Sequence, residues 1–268
     1  MGKIMIKEKR VGASSRTPFK HWILNSILGQ QVGVLSLNSR KVPCTANPFL
    51  IVDMCAGDGT QSKYDEHSSP SIILKHSRFR NIKTDLVFIE KNEHTFNELN
   101  KNVSPQPNIR LLNMDANDFI IKPEYDNQAM FINCDPNSIN QLPINDRFMN
   151  SITSYTSMII TLGCNVGGLK RLTREQREPW FDYLKLIVRK TSVHHDLILC
   201  SLVNDSSQWA YLVKIPVVWK DDTIKQLIKK GSAMFKNGVR LSSFATDIDD
   251  FRSHVKQLFL TNKENNNA

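Results

Sequence analysis

Four short apolar segments, each running into a carboxylate, constrain this chain more than any other feature. They are Leu50-Ile51-Val52-Asp53, Asp85-Leu86-Val87-Phe88-Ile89-Glu90, Ile109-Arg110-Leu111-Leu112-Asn113-Met114-Asp115 and Ala129-Met130-Phe131-Ile132-Asn133-Cys134-Asp135. Near-continuous apolar runs predict strands buried on both faces, as in a parallel sheet. Acids at their ends fall on the carboxyl edge of an open α/β sheet, where ligands bind. Four of them on one edge are more than sheet architecture asks for. The first segment continues through Met54-Cys55-Ala56-Gly57-Asp58-Gly59-Thr60. Its two glycines let the backbone take positive φ and let a ligand approach with no Cβ in the way. The N–H groups beyond such a turn face that ligand.

The rest of the chain reads as one α/β domain with additions. A basic arm over 1–16 precedes a helix opening at Thr17-Pro18, with an apolar stripe of Trp22, Ile23, Ile27 and Leu28. Residues 34–48 read as a loop. Pro70 opens a second helix, and Asn92 to Lys101 forms the helix after the second strand. Further helices are expected over 144–154, 173–190, 223–235 and 247–260, and a fifth strand over 158–162. Strands over 197–202 and 210–218 flank the hairpin signal Asn204-Asp205-Ser206-Ser207. The expected organisation is a flexible basic arm over 1–16, an α/β domain over 17–220, a C-terminal helical extension over 221–262 and a disordered tail over 263–268.

Apolar residues make up 40% of the chain, enough for a sizeable core. No run of about 18 apolar residues occurs, so no membrane span is expected, and no apolar signal core follows the first charges. Five scattered cysteines without a CxxC pair suggest neither a zinc site nor a disulfide framework. No metal is expected, and a reducing cytoplasm fits. The net charge is +9. It gathers in Lys3, Lys7, Lys9, Arg10, Arg16 and Lys20 near the start, in Lys170, Arg171, Arg174 and Arg177, and in Lys220, Lys225, Lys229, Lys230, Lys236 and Arg240. Basic surface beside an acid-edged pocket fits a polyanion gripped by its phosphates outside the site. Lys170, Arg171, Arg174, Lys229 and Lys230 are the candidate nucleic-acid contacts. A protein partner, or solubility alone, is the other reading of the same charge.

Taken together, the glycine turn and the later strand-plus-acid segments resemble class I S-adenosylmethionine-dependent methyltransferases over roughly 48–220. The resemblance implies a Rossmann-like domain with a mostly parallel seven-stranded sheet, an antiparallel last strand at its edge and helices on both faces. It implies that Asp53, Ala56, Gly57 and Gly59 hold the methionine part of S-adenosylmethionine, that Glu90 takes the ribose hydroxyls, and that Asp115 with Ala116 lies near the adenine. Asp135, Pro136 and Asn137 would face the substrate. A narrower likeness, carried by Ser69-Pro70-Ser71-Ile72-Ile73-Leu74, Phe88-Ile89-Glu90-Lys91-Asn92 and Asp135-Pro136, is to the three-Cys-motif partner proteins.

Two roles stay open for Glu90. One carboxylate can accept from both hydroxyls of a ribose, and an acid also suits the first turn of the helix that follows. Asp53 can support the turn or contact the cofactor. Amino-methyltransferases of adenine and cytosine carry Asp or Asn, two prolines and an aromatic that stacks on the flipped base. Here Asp135-Pro136 match, while Asn137-Ser138 replace the second proline and the ring. Phe148, Tyr155 or Trp180 can supply a ring from elsewhere or serve as core. A cysteine nucleophile for carbon-5 transfer is not indicated, since Pro43-Cys44 lies upstream of the turn and Cys134 precedes its proline. Ser62 stands where a dinucleotide fingerprint needs its last glycine. The expected function is methyl transfer to an amino group of a nucleic acid base. The alternative is a methyltransferase-like binding protein, for nucleic acid or a protein partner, that has lost transfer.

Overall fold

The expected strands form and join in one sheet. A computed structural model describes residues 17–38, 48–60, 67–78, 82–121, 129–136, 156–161, 194–203, 207–216 and 239–245. In chain order these hold α1 (Thr17–Asn38), β1 (Phe49–Asp53), α2 (Ser69–Ser77), β2 (Thr84–Ile89), α3 (Glu93–Asn102), β3 (Ile109–Leu112), β4 (Met130–Cys134), β5 (Thr156–Thr161), β6 (His194–Val203), β7 (Ser207–Pro216) and β8 (Val239–Ala245). A single 3₁₀ turn spans Ala116–Asp118. The sheet order is β3-β2-β1-β4-β5-β7-β6-β8. β1 to β5 are mutually parallel. β7 runs antiparallel to both β5 and β6.

Three details differ from expectation. The antiparallel β7 lies inside the sheet, between β5 and β6, and not at its edge. Among the described residues the sheet has eight strands where seven were expected, because β8 adds antiparallel to β6. β8 falls within 221–262, where only helix was expected. Its pairing skips Ser242, at a shift opposite Cys200 and Ser201. That extra residue breaks the period-two alternation by which a strand is recognised. Finally, α1 continues through 34–38, which read as loop. Val32 and Leu35 extend its buried stripe beyond Ile23, Leu24, Ile27 and Leu28, and packing of that face outweighs the poor helix propensity of Gly29 and Gly33. The expected helices over 144–154, 173–190, 223–235 and 247–260, the arm and the tail lie outside the described residues.

One face of the sheet packs on α1, α2 and α3, with Phe49, Ile51, Phe88 and Phe131 against Ile23, Ile27, Ile73 and Leu99. The alternate residues Leu50, Val52, Val87, Ile89, Met130 and Ile132 are equally buried, so both faces are covered. Burial of each such side chain stabilises the fold by roughly 1.5–3 kcal/mol. α1 is tied to β5 by a buried hydrogen bond from Ser157 Oγ to Gln31 Oε1 of 2.8 Å. Against α2, Gly29 leaves room for the His76 ring, 3.0 Å from where a Cβ would stand. No described helix is long and apolar enough to cross a membrane.

Candidate active site

β1, β2 and β4 end level with one another. The register sets Asp53 beside Phe88 of β2 and Asn133 of β4, so Glu90 and Asp135 flank the start of the glycine turn. Gly57 and Gly59 take φ of 64° and 70°. The turn is anchored from three sides. Ser68 Oγ, at the N-terminus of α2, donates to the Gly59 carbonyl at 2.8 Å. Asn102 Nδ2 of α3 donates to the Asp58 carbonyl at 2.8 Å. The Gly57 N–H donates to Glu90 Oε2 at 3.1 Å. Alanine at Gly57 meets no atom within 4 Å, so its cost is the left-handed backbone alone, whereas a Cβ at Gly59 stands 3.1 Å from Leu99 Cδ1. Gly57→Ala is therefore expected to cost about 1 kcal/mol, and Gly59→Ala clearly more. Urea unfolding of the two variants checks the order; equal costs would mean the turn relaxes around Leu99.

Glu90 reaches across to this turn and does not cap α3. The N-cap is Asn92, whose Oδ1 accepts from the Thr95 N–H at 2.9 Å. The other Glu90 oxygen accepts from the Asn92 N–H at 2.8 Å. Asn113 Nδ2 donates to the Glu90 carbonyl at 2.9 Å and the Lys91 carbonyl at 3.2 Å, fixing the backbone that carries the acid. A cleft of about 460 Å³ follows the sheet edge, from Asp115 and Ala116 past Glu90 and Lys91 to Met54, Cys55 and Pro136. Asp115 accepts from the N–H of Asn117 at 2.9 Å and from Lys91 Nζ at 2.5 Å. Those two partners hold its carboxyl below the usual carboxylate range.

Asp53 is completely enclosed beneath the turn. One oxygen accepts from Asn133 Nδ2 at 2.9 Å; the other makes no hydrogen bond among the described residues. Burial pushes its pKa up to about 6, with Ser69 and Asn133 pulling it partly back. Asp135, which precedes the cleft-lining Pro136, forms an ion pair with Lys20 of α1. Both side chains are mostly covered, at 16% and 18% exposure. The Cys134 thiol is held well above its ordinary pKa by its neighbour Cys55 and by burial, which leaves no ready thiolate for nucleophilic catalysis.

Protein LPL1258 from Legionella pneumophila str. Philadelphia 1, family-model DUF519, superposes on the chain with a TM-score of 0.56 at 13% identity, over 85% of this chain and 96% of that one. The five parallel strands in the order β3-β2-β1-β4-β5, with helices packed on the sheet, decide the fold. The chain has the class I methyltransferase fold. Lower TM-scores relate it to the METTL16 MTase domain (0.38, 14% identity, 75% of this chain and 67% of that one) and to the plantazolicin methyltransferase BpumL in complex with SAH (0.40, 13% identity, 75% and 87%). The chain matches no protein-family model and no curated protein.

Within this methyltransferase fold, Glu90, Asp115, Ala116 and Pro136 come together on the cleft. Ala56, Gly57 and Gly59 form the turn beside it, and the enclosed Asp53 supports that turn from below. Asp135 adjoins the cleft through Pro136. Asn137 and the candidate contacts Lys170, Arg171, Arg174, Lys229 and Lys230 lie outside the described residues, as do Phe148, Tyr155 and Trp180. Reading the sequence missed Asn113 and Asn133, and it counted Lys20 merely among the basic residues of the N-terminus. No local signal marks Lys20, whose partner is 115 positions away.

Proposed function

We propose that the protein is an S-adenosylmethionine-dependent methyltransferase acting on an amino group of a nucleic acid base, in a reducing cytoplasm. The observation that carries the cofactor reading is the Glu90 carboxylate, held on the cleft by the Gly57 N–H of the glycine turn. A carboxylate so placed can accept from both hydroxyls of a ribose. The cleft volume is within the roughly 300–1,000 Å³ typical of ligand sites. Asp115 and Ala116 stand at the adenine end, and Ala56, Gly57 and Gly59 at the methionine end, with Asp53 beneath. The bound cofactor supplies an electrophilic methyl group on a sulfonium.

The chain's own work is positioning. Asp135 accepts from the acceptor amine and aims its lone pair, Pro136 walls the cleft, and Asn137 stands next in the segment. Phosphates are proposed to rest on Lys170, Arg171, Arg174, Lys229 and Lys230, which gives part of the chain's positive charge a role. One observation favours the alternative of a binding protein without transfer: Lys20 already occupies the Asp135 carboxylate. The test offers labelled cofactor with RNA, DNA and protein separately, to wild type and Asp135→Ala. Label in a nucleic acid, lost in the variant, is expected. Label in protein alone overturns the nucleic-acid acceptor. Transfer that survives Asp135→Ala overturns the role of that residue, and no label anywhere with intact cofactor binding favours the binding protein.

A further inference from the structure

We propose that Lys20 is a site of self-methylation; this rests on the methyltransferase reading above. The carboxylate assigned to hold an acceptor amine already holds one. Lys20 Nζ donates to Asp135 Oδ2, next to Pro136, which lines the cleft at the end away from Asp115 and Ala116. The sequence supplies the geometry. Thr17 begins α1, and its stripe of Ile23, Leu24, Ile27 and Leu28 locks the helix on the sheet. Lys20, in the first turn, is thereby carried over the end of β4. Its burial separates it from an ordinary surface lysine: 18% of its side chain is exposed, against 69% for Lys101. Lys91 lines the cleft itself, but it is paired with Asp115 at the opposite end.

A lysine amine held against a fixed carboxylate needs no diffusional encounter to reach the methyl group, which is the advantage of an intramolecular acceptor. The step is balanced. A proton passes from Nζ to Asp135 Oδ2 and on to water. The freed lone pair forms the new N–C bond. The C–S bond breaks with its electron pair remaining on sulfur, leaving the thioether S-adenosylhomocysteine. The methylated nitrogen keeps its charge and its place on Asp135 with fewer N–H donors. It also fills the position an incoming base amine needs, so the mark would act on the acceptor site itself.

Two measurements on the full chain test this, together with calorimetry of S-adenosylhomocysteine. The first is the intact mass after incubation with S-adenosylmethionine, with the modified peptide mapped. Wild type is expected to gain at least one methylene mass at Lys20, and Lys20→Arg to lose that gain. The second needs no cofactor: acylation of lysines by an amine-reactive ester, read by peptide mapping. Lys20 is expected to react more slowly than Lys101, and to lose that protection in Asp135→Asn. If S-adenosylhomocysteine binds and Lys20 stays unmodified, self-methylation is overturned while the cofactor reading stands. If the methyl group maps to other lysines, or Lys20 acylates as fast as Lys101, it is overturned as well. If no cofactor binds, both readings fall together. Lys20→Arg retains the positive charge, and a cofactor affinity equal to wild type shows that the variant is folded.

Discussion

Glu90→Ala is expected to weaken S-adenosylmethionine and S-adenosylhomocysteine binding by about 30- to 1,000-fold. A carboxylate accepting from two ribose hydroxyls makes two charge-assisted hydrogen bonds, and losing them costs about 2–4 kcal/mol net of water. In the free protein the same oxygens accept from the N–H groups of Gly57 and Asn92, so the truncation also loosens the turn that borders the cleft. Glu90→Gln separates the two effects, because an amide accepts from one hydroxyl and donates to the other. The expected order of affinity by calorimetry is wild type, then Gln, then Ala. An alanine variant that binds within about threefold of wild type would mean that no ribose rests on this acid.

Asp53→Asn is expected to change how stability depends on pH. The folded pKa of about 6 lies above the unfolded value of 3.8. The folded state therefore holds the Asp53 proton more tightly, and the stability this provides is complete below the unfolded value and lost as pH rises through 6. The full loss is about 3 kcal/mol. An amide cannot ionise, so stability of the variant relative to wild type should rise by about 2 kcal/mol between roughly pH 4 and 7.5. Urea unfolding at the two pH values reads that difference. The offset at a single pH is not the test, since an amide nitrogen near Ser69 and the Cys55 N–H brings its own cost. A gap that stays constant with pH would mean Asp53 is ionised throughout.

The site was legible where its chemistry is written into strand ends. A buried parallel strand must be apolar throughout, so β1, β2 and β4 stand out as runs, and the acid closing each run marks the sheet edge. The acids Glu90 and Asp115 followed from that pattern, while Ala116 and Pro136 came only from the family resemblance. Asn113 and Asn133 did not, because an asparagine bonding to a neighbouring strand looks like any other polar residue until the register is known. Lys20 was hidden by distance along the chain, and no periodicity reports a helix crossing the end of a strand. β8 was hidden by the skipped Ser242, which disrupts the alternation. The place of β7 was hidden for another reason: hairpin partners are legible, but which of them meets β5 is decided by packing across the whole sheet.

That placement of β7 bears on how the chain comes off the ribosome. Synthesis delivers β1 to β5 first, and these five already pair with one another in full. β5 is then a rim, Thr156-Ser157-Met158-Ile159-Ile160-Thr161, every residue of which is buried in the finished protein. Its unpaired backbone N–H and C=O groups would template association with a neighbouring nascent chain. The strand that covers it, Ser207–Pro216, is made after β6, some forty-five residues past the end of β5. For that interval the growing polypeptide is a half-sheet with an exposed seam, and the later hairpin acts as the seal that ends the exposure.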